Sequence, residues 1–273
     1  MNKVPNFVKE IYAKFEEVDV FGLAAQLAYF FLLSLFPFLL FLLTLVGYLP
    51  FDDIAILDTI RTYAPPQIVD LISTNVSQLL ADQNGGLLSF GFIATLWAAS
   101  NGVNAIMRGF NIAYSVEENR SFIVSRLIAI VLTIAMVLVI LIAFLLPIFG
   151  RMIGMYLFSF VGLSESFIVV WQGLRWIVSS VVIFIVLVAL YKLAPNLRVY
   201  FKNTIWGALF ATLLWQLASL GFSFYVTTAG NYSATYGSLG TVIVLMIWFY
   251  LSGIIIMAGG VLNAYIREKR LHK

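Results

Sequence analysis

The feature that most constrains this chain is a set of six long apolar stretches: Gly22–Leu49, Gly86–Met107, Leu127–Phe149, Phe167–Tyr191, Ile205–Tyr225 and Leu239–Ile266. Each is long enough, at 1.5 Å per residue, to cross about 30 Å of hydrocarbon as a helix. No water reaches the backbone inside a bilayer, so only helices or closed barrels can span it. Barrel strands alternate polar and apolar residues over about ten positions, and these stretches are continuously apolar. The expected fold is therefore all-α: a polytopic membrane bundle of six transmembrane helices. Composition agrees, with 62% hydrophobic and 11% charged residues where soluble domains carry about 25% charged. So few charges cannot cover a water-soluble globule of this size, which excludes a soluble enzyme, a disordered chain and a coiled coil.

The cations are sorted between the connections. The N-terminal segment holds Lys3, Lys9 and Lys14; the second connection holds Arg108, Arg120 and Arg126. The fourth holds Lys192, Arg198 and Lys202, and the tail holds Arg267, Lys269, Arg270 and Lys273. These 13 fall on one side, against Arg61, Arg151 and Arg175 on the other. The positive-inside bias then places both termini in the cytoplasm of a multi-pass protein of the cell (inner or plasma) membrane, and it requires an even number of spans. Twenty mixed-charge residues precede the first span, so no cleavable signal peptide is expected.

The domain reading is a single membrane domain over residues 1–273. Residues 1–21 form a cytoplasmic segment, 22–266 the six-helix region and 267–273 a basic tail. Phe7, Ile11, Phe15 and Val18 recur at helical spacing, so the N-terminal segment is an amphipathic helix, either lying on the interface or packed under the bundle. In the first outer loop, Pro65-Pro66 can open a helix and Asn84-Gly85-Gly86 is expected to stop it. Its carboxylates Asp52, Asp53, Asp58, Asp70 and Asp82, against the one cation Arg61, are expected either to make an acidic outer cap or simply to keep the loop soluble. Pro37 is expected to kink the first span.

The chemistry available is narrow. Cysteine is absent, which removes disulfides and thiolate ligands. No Asp, Glu or His lies within a span, so a proton relay of the usual kind has no groups. Sodium coupling through carbonyls and hydroxyls needs none and stays open. The one histidine, His272, is in the tail, and no metal-ligand spacing appears, so neither metal nor cofactor is expected. What the spans do hold is neutral polar groups in stripes. Asn101, Asn104 and Arg108 follow Trp97 on one face of the second span, beside a small-residue edge of Gly91, Ala94, Ala98, Gly102, Ala105 and Gly109. Gln26 lies in the first span, Gln172 and Arg175 in the fourth, Gln216 in the fifth and Asn263 in the sixth. Tyr232 and Tyr236 sit in an uncharged, glycine-rich fifth loop that forms either an outer turn or a segment dipping into the membrane.

Several separated motifs resemble one family. They are Ala24-Ala25-Gln26-Leu27-Ala28-Tyr29 with Leu33 to Pro37, Trp97 to Ala105, Phe110 to Tyr114 followed by Glu117, Glu118 and Arg120, Ala194-Pro195-Asn196, Tyr236 to Gly240, Trp248 to Ser252, and Gly259 to Ala264. Together they resemble the YihY/BrkB family of bacterial inner-membrane proteins. The resemblance implies six helices with both termini inside. The family once carried a ribonuclease BN label, and one branch is described as a virulence factor. Many members have a glutamate where this chain has Val261, so a mechanism titrating that carboxylate does not carry over.

Two readings follow. In the first, the polar groups Gln26, Asn101, Asn104, Arg108, Gln172, Arg175, Gln216, Tyr232, Tyr236 and Asn263 line a cavity between helices of a transporter or lipid-translocating protein. Its partners would be membrane lipids and an anionic lipid or small molecule, and a homo-oligomer is allowed. In the second, the same groups glue the helices of a scaffold for envelope assembly. Nuclease activity, and nucleic acid as a partner, are not expected, because RNA cleavage needs converging carboxylates or histidines.

Overall fold

The computed structural model describes residues 4–46, 48, 84–138, 164–228 and 238–271; of these, 4–8, 43, 46, 164–175, 226–228, 238–239 and 241 are described in backbone only. The described residues fold as seven helices: α1 Val4–Val18, α2 Val20–Val46, α3 Gly85–Ala113, α4 Phe122–Leu138, α5 Ser164–Leu193, α6 Phe201–Thr228 and α7 Ser238–Leu271. Five of them are long and apolar enough to cross a membrane: α2, α3, α5, α6 and α7. The expected third span, Leu127–Phe149, begins in α4, and its second half lies outside the described residues. So do the first outer loop, with its expected helix and acidic cap, and Tyr232 and Tyr236 of the fifth loop. Large apolar side chains cover much of the helix surfaces, with Phe36 75% and Phe224 71% exposed, as lipid-facing helices require.

Helix ends follow local chemistry. Asp19 has a positive φ of 52° and serves two helices at once. It closes α1, and its carboxylate accepts from Gly22 N at 3.2 Å to cap α2. Asn84, expected to stop an outer helix that lies outside the described residues, opens α3 by accepting from Leu87 N at 3.1 Å. Ser115 takes φ 52° just past α3, and Ser115 N and Val116 N donate to Ile112 O and Asn111 O. That is the two-bond Schellman closure usually made with glycine. Pro37 lies inside α2, which continues as helix on both sides of it.

The chain divides into two compact units, Phe31–Ala99 and Met1–Phe30 with Ser100–Lys273. In the smaller unit, Gly91 lets α3 approach α2: a Cβ there would meet Leu40 and the Phe41 backbone at 3.0 Å. The larger unit is organised around α7. A Cβ at Gly253 would press on Ala24 and Leu27 of α2, and one at Gly260 on the ring of Phe110 in α3. Gly259 meets Tyr191 of α5 and Gly207 of α6 in the same way. Small residues thus admit large neighbours, and dispersion and close packing do the work that hydrophobicity cannot do in lipid. Val261 is fully buried in this core.

Tyr191 donates to Ile256 O at 2.9 Å from a fully buried position and stacks at a tilt on Phe110, with centroids 5.4 Å apart. Replacing Tyr191 with Phe keeps the ring and deletes one buried bond. The expected cost is about 1 kcal/mol, read as a small fall in the melting temperature of the purified chain; an unchanged Tm would show that the bond contributes nothing.

Helix α1 is amphipathic as expected, with Val18 buried and Ile11 and Phe15 half-buried. It docks on the end of α7. Lys14 pairs with Glu268 at 2.7 Å and Glu10 with Lys269 at 2.9 Å, while Tyr265 donates to Glu10 at 2.8 Å. The Lys269 ammonium, and then the Tyr265 hydroxyl, hold the Glu10 carboxyl below its ordinary pKa. Of the two placements the sequence allowed, α1 adopts the packed one.

Candidate functional site

The site builds outward from α3. Residues 101, 104, 108 and 111 follow one another at steps of three and four, so Asn101, Asn104, Arg108 and Asn111 lie along one stripe. Three of them reach different parts of the chain. Asn101 accepts from Arg126 Nη1 of α4 at 2.7 Å. Arg108 Nη2 donates to Gln26 Oε1 of α2 at 2.7 Å. Asn111 Nδ2 donates to Glu118 at 2.8 Å, and its Oδ1 accepts from Asn196 N at 2.7 Å. Asn104 lies half-buried between the first two.

Beyond the end of α3 the stripe runs into a polar clasp. Arg120 grips Glu118 through Nε at 2.8 Å and Nη2 at 3.0 Å. The same guanidinium caps the C-terminal end of α5, donating to Leu193 O at 3.3 Å and Ala194 O at 2.8 Å. Asn196 Nδ2 donates to Glu117 O at 2.7 Å. Burial alone would raise the Glu118 pKa, but the hydrogen bonds from Arg120 and Asn111 outweigh it and hold the carboxyl below its ordinary value. A second cation does similar work nearby, since Lys14 Nζ lies 3.4 Å from Ala113 O at the end of α3. Arg270 donates to Asn203 Oδ1 at 2.7 Å. The larger unit therefore gathers α1, the end of α3, the α5–α6 connection and the end of α7 at one end. These are the segments that carry most of the cations.

The other expected site residues fall in different places. Gln216 donates to Ser180 Oγ at 2.9 Å and ties α6 to α5. Asn263 is fully buried; it accepts from Gly207 N at 2.7 Å and donates to Thr204 O at 3.3 Å, so its amide is taken up between α6 and α7. Gln172 and Arg175 lie on α5 where only the backbone is described. The structure thus joins Gln26 to Arg108 at one end of an α3 stripe that also carries Asn104 and Asn101, and sets Gln216 and Asn263 elsewhere. Asn111, Glu118, Arg120 and Asn196, which stand in the sequence only as motif residues, and Arg126, which counts there only as a charge, complete the network without being among the expected site residues. Asn111 had a signal, since it extends the stripe by one further step of three. Arg126 had none beyond its charge. Among the described residues, no three His, Cys, Asp or Glu side chains gather as a metal site.

At the same end a groove of about 600 Å³ opens between α5 and α6, lined by residues 192–193 and 195–201 with Arg120.

Comparisons with known proteins fit this architecture. The sequence profile described as Virulence factor BrkB matches residues 11–273. A Bacillus subtilis relative, named a ribonuclease-like protein (YfkH), is 54% identical over 97% of this chain and 96% of its own length. A Vibrio campbellii relative, named only as a membrane protein, is 28% identical over 90% of this chain and 77% of its own. An Idiomarina loihiensis membrane protein is 39% identical, over 36% of this chain and 34% of its own. No solved structure matches. The family match runs through nearly every element described above, and the chain belongs to the Virulence factor BrkB family of multi-pass membrane proteins.

Proposed function

We propose that the chain moves an anionic amphiphile, a lipid or envelope precursor with a phosphate or carboxylate headgroup, along the polar face of α3. The end that gathers the termini would face the cytoplasm, on the positive-inside bias. The observation that carries this reading is the Arg108–Gln26 pair. Both residues are exposed, on helices whose other exposed side chains are largely apolar. Arg108 stands at the cytoplasmic end of its span, at the depth of the headgroup layer, where a guanidinium gains charge-assisted hydrogen bonds to a phosphate or carboxylate. Gln26 takes one of the five N–H donors of Arg108 and so fixes the guanidinium while leaving donors for an anion. Asn104 and the Asn101–Arg126 pair continue the polar path along α3. The ribonuclease named for the Bacillus relative is not our reading. Glu118, the carboxylate nearest an arginine here, is already bonded through both oxygens.

The test is transbilayer movement of a fluorescent phosphatidylglycerol analogue in vesicles holding the full chain. Arg108→Gln is expected to slow the anionic probe about tenfold, as loss of one charge-assisted bond implies. It should leave a phosphatidylcholine analogue unaffected. No movement by the unaltered chain, or equal loss for both probes, would overturn the reading.

A further inference from the structure

We infer that the groove between α5 and α6 is a separate binding site for the headgroup of an anionic phospholipid in the adjoining leaflet. Its walls are basic and contain no acid: Lys192 and Arg198 line it, and Asp and Glu are absent from its lining. Both cations are exposed, and among the described residues neither forms an ion pair. Arg120 also lines the groove, but Glu118 and the end of α5 already occupy it, so it shapes the wall and neutralises the nearest carboxylate. The cavity is therefore positive, and its two working charges have no counter-ion among the described residues.

Its rim says what kind of anion suits it. Tyr200 is 79% and Phe201 53% exposed, and both line the groove beside the two cations. Exposed rings next to cations, where two membrane-spanning helices are joined, match the headgroup layer, in which amphipathic aromatics and basic residues anchor together. A soluble phosphate would use the cations and leave the rings in water. A phospholipid uses both, with its phosphate between Lys192 and Arg198 and its glycerol and upper acyl carbons against the rings. This site does not rest on the translocation reading, because it is an equilibrium contact at the bundle end and involves neither Arg108 nor Gln26.

Native mass spectrometry of the full chain in detergent tests it by titration with phosphatidylglycerol, phosphatidylcholine and glycerol phosphate. Phosphatidylglycerol is expected to bind at least about tenfold more tightly than either of the others. Lys192→Gln with Arg198→Gln should weaken it about thirtyfold, in keeping with two juxtamembrane cations. The exchange Lys192→Arg with Arg198→Lys should restore binding, which guards against a folding defect. Tyr200→Ser with Phe201→Ser should weaken phosphatidylglycerol and leave glycerol phosphate unchanged. Unaltered lipid binding by the Gln pair, or glycerol phosphate binding as tightly as the lipid, would overturn the inference. Arg108→Gln is expected to retain groove binding, so failure here and failure of translocation are separable.

Discussion

Gly207→Val is expected to leave little or no folded protein, the largest effect of any single substitution considered. A Cβ at Gly207 would meet Gly259 O and the Asn263 side chain, and one at Gly259 would meet Gly207 O and the Tyr191 hydroxyl. Two of these obstacles are backbone carbonyls, which cannot rotate away as a flexible side-chain tip can. The α6 and α7 axes would have to separate. That separation breaks the Asn263 bonds to Gly207 N and Thr204 O and moves Tyr191 off Ile256 O. Overpacking typically costs about 1–3 kcal/mol, and each buried polar group left unpaired adds about 1–3 kcal/mol. The sum approaches a total stability of only about 5–15 kcal/mol. The measurement is the monodisperse fraction on size exclusion after extraction, with the Tm of what survives. Gly221→Val is the control in the same helix, because a Cβ there meets nothing within 4 Å. If the two variants behave alike, the close approach of α6 to α7 is not what holds this bundle.

The helices themselves were legible, because a 20-residue apolar run in a chain with few charges has one economical solution in lipid. The small-residue edge of α3 was legible for the same reason: Gly91 and Gly109 are where neighbouring helices press closest. Pairing was not legible. Asn101 and Arg126 are 25 residues apart, and Gln26 and Arg108 are 82 apart, and no local pattern says which polar stripe meets which. Arg126 counted only as a charge for topology, yet its guanidinium bonds a span residue. Asn263 and Asn101 looked equivalent as amides in apolar helices; only packing separates the one locked between α6 and α7 from the one on the α3 stripe. Turn chemistry works in two directions. Asn84-Gly85-Gly86 reads as a stop for the helix before it, which lies outside the described residues; the same Asn side chain also accepts from an N–H ahead of it and begins α3. Ser115 hides its closure of α3, since the left-handed position it fills is usually given to glycine.

The clasp at the end of α3 carries the second large prediction. Arg120→Ala removes three things at once: the fork on Glu118, the cap on Leu193 O and Ala194 O, and the neutralisation of a partly buried carboxylate. The expected loss is about 2 kcal/mol, the low end for charged hydrogen bonds because Glu118 is partly open to solvent. Arg120→Lys should recover only part of it, since an ammonium is a point charge and cannot present a planar fork to a carboxylate and two carbonyls together. The pH dependence supplies an independent readout. The folded Glu118 pKa lies below its unfolded value, so the unfolded chain binds the extra proton first as pH falls. The stabilisation is then complete above the ordinary carboxylate pKa and is lost as pH drops through the lower folded value. Unaltered protein should lose Tm steeply on acidification in that window. Arg120→Ala should start lower and fall less, because the stronger of the two side chains that depress the pKa is gone and only that of Asn111 remains. Equal Tm at neutral pH and parallel acid curves for the two proteins would show that Arg120 merely rests on the α5 carbonyls. Convergence of the curves at low pH is the result that ties the joining of α3 to the α5–α6 connection to one ionised carboxylate.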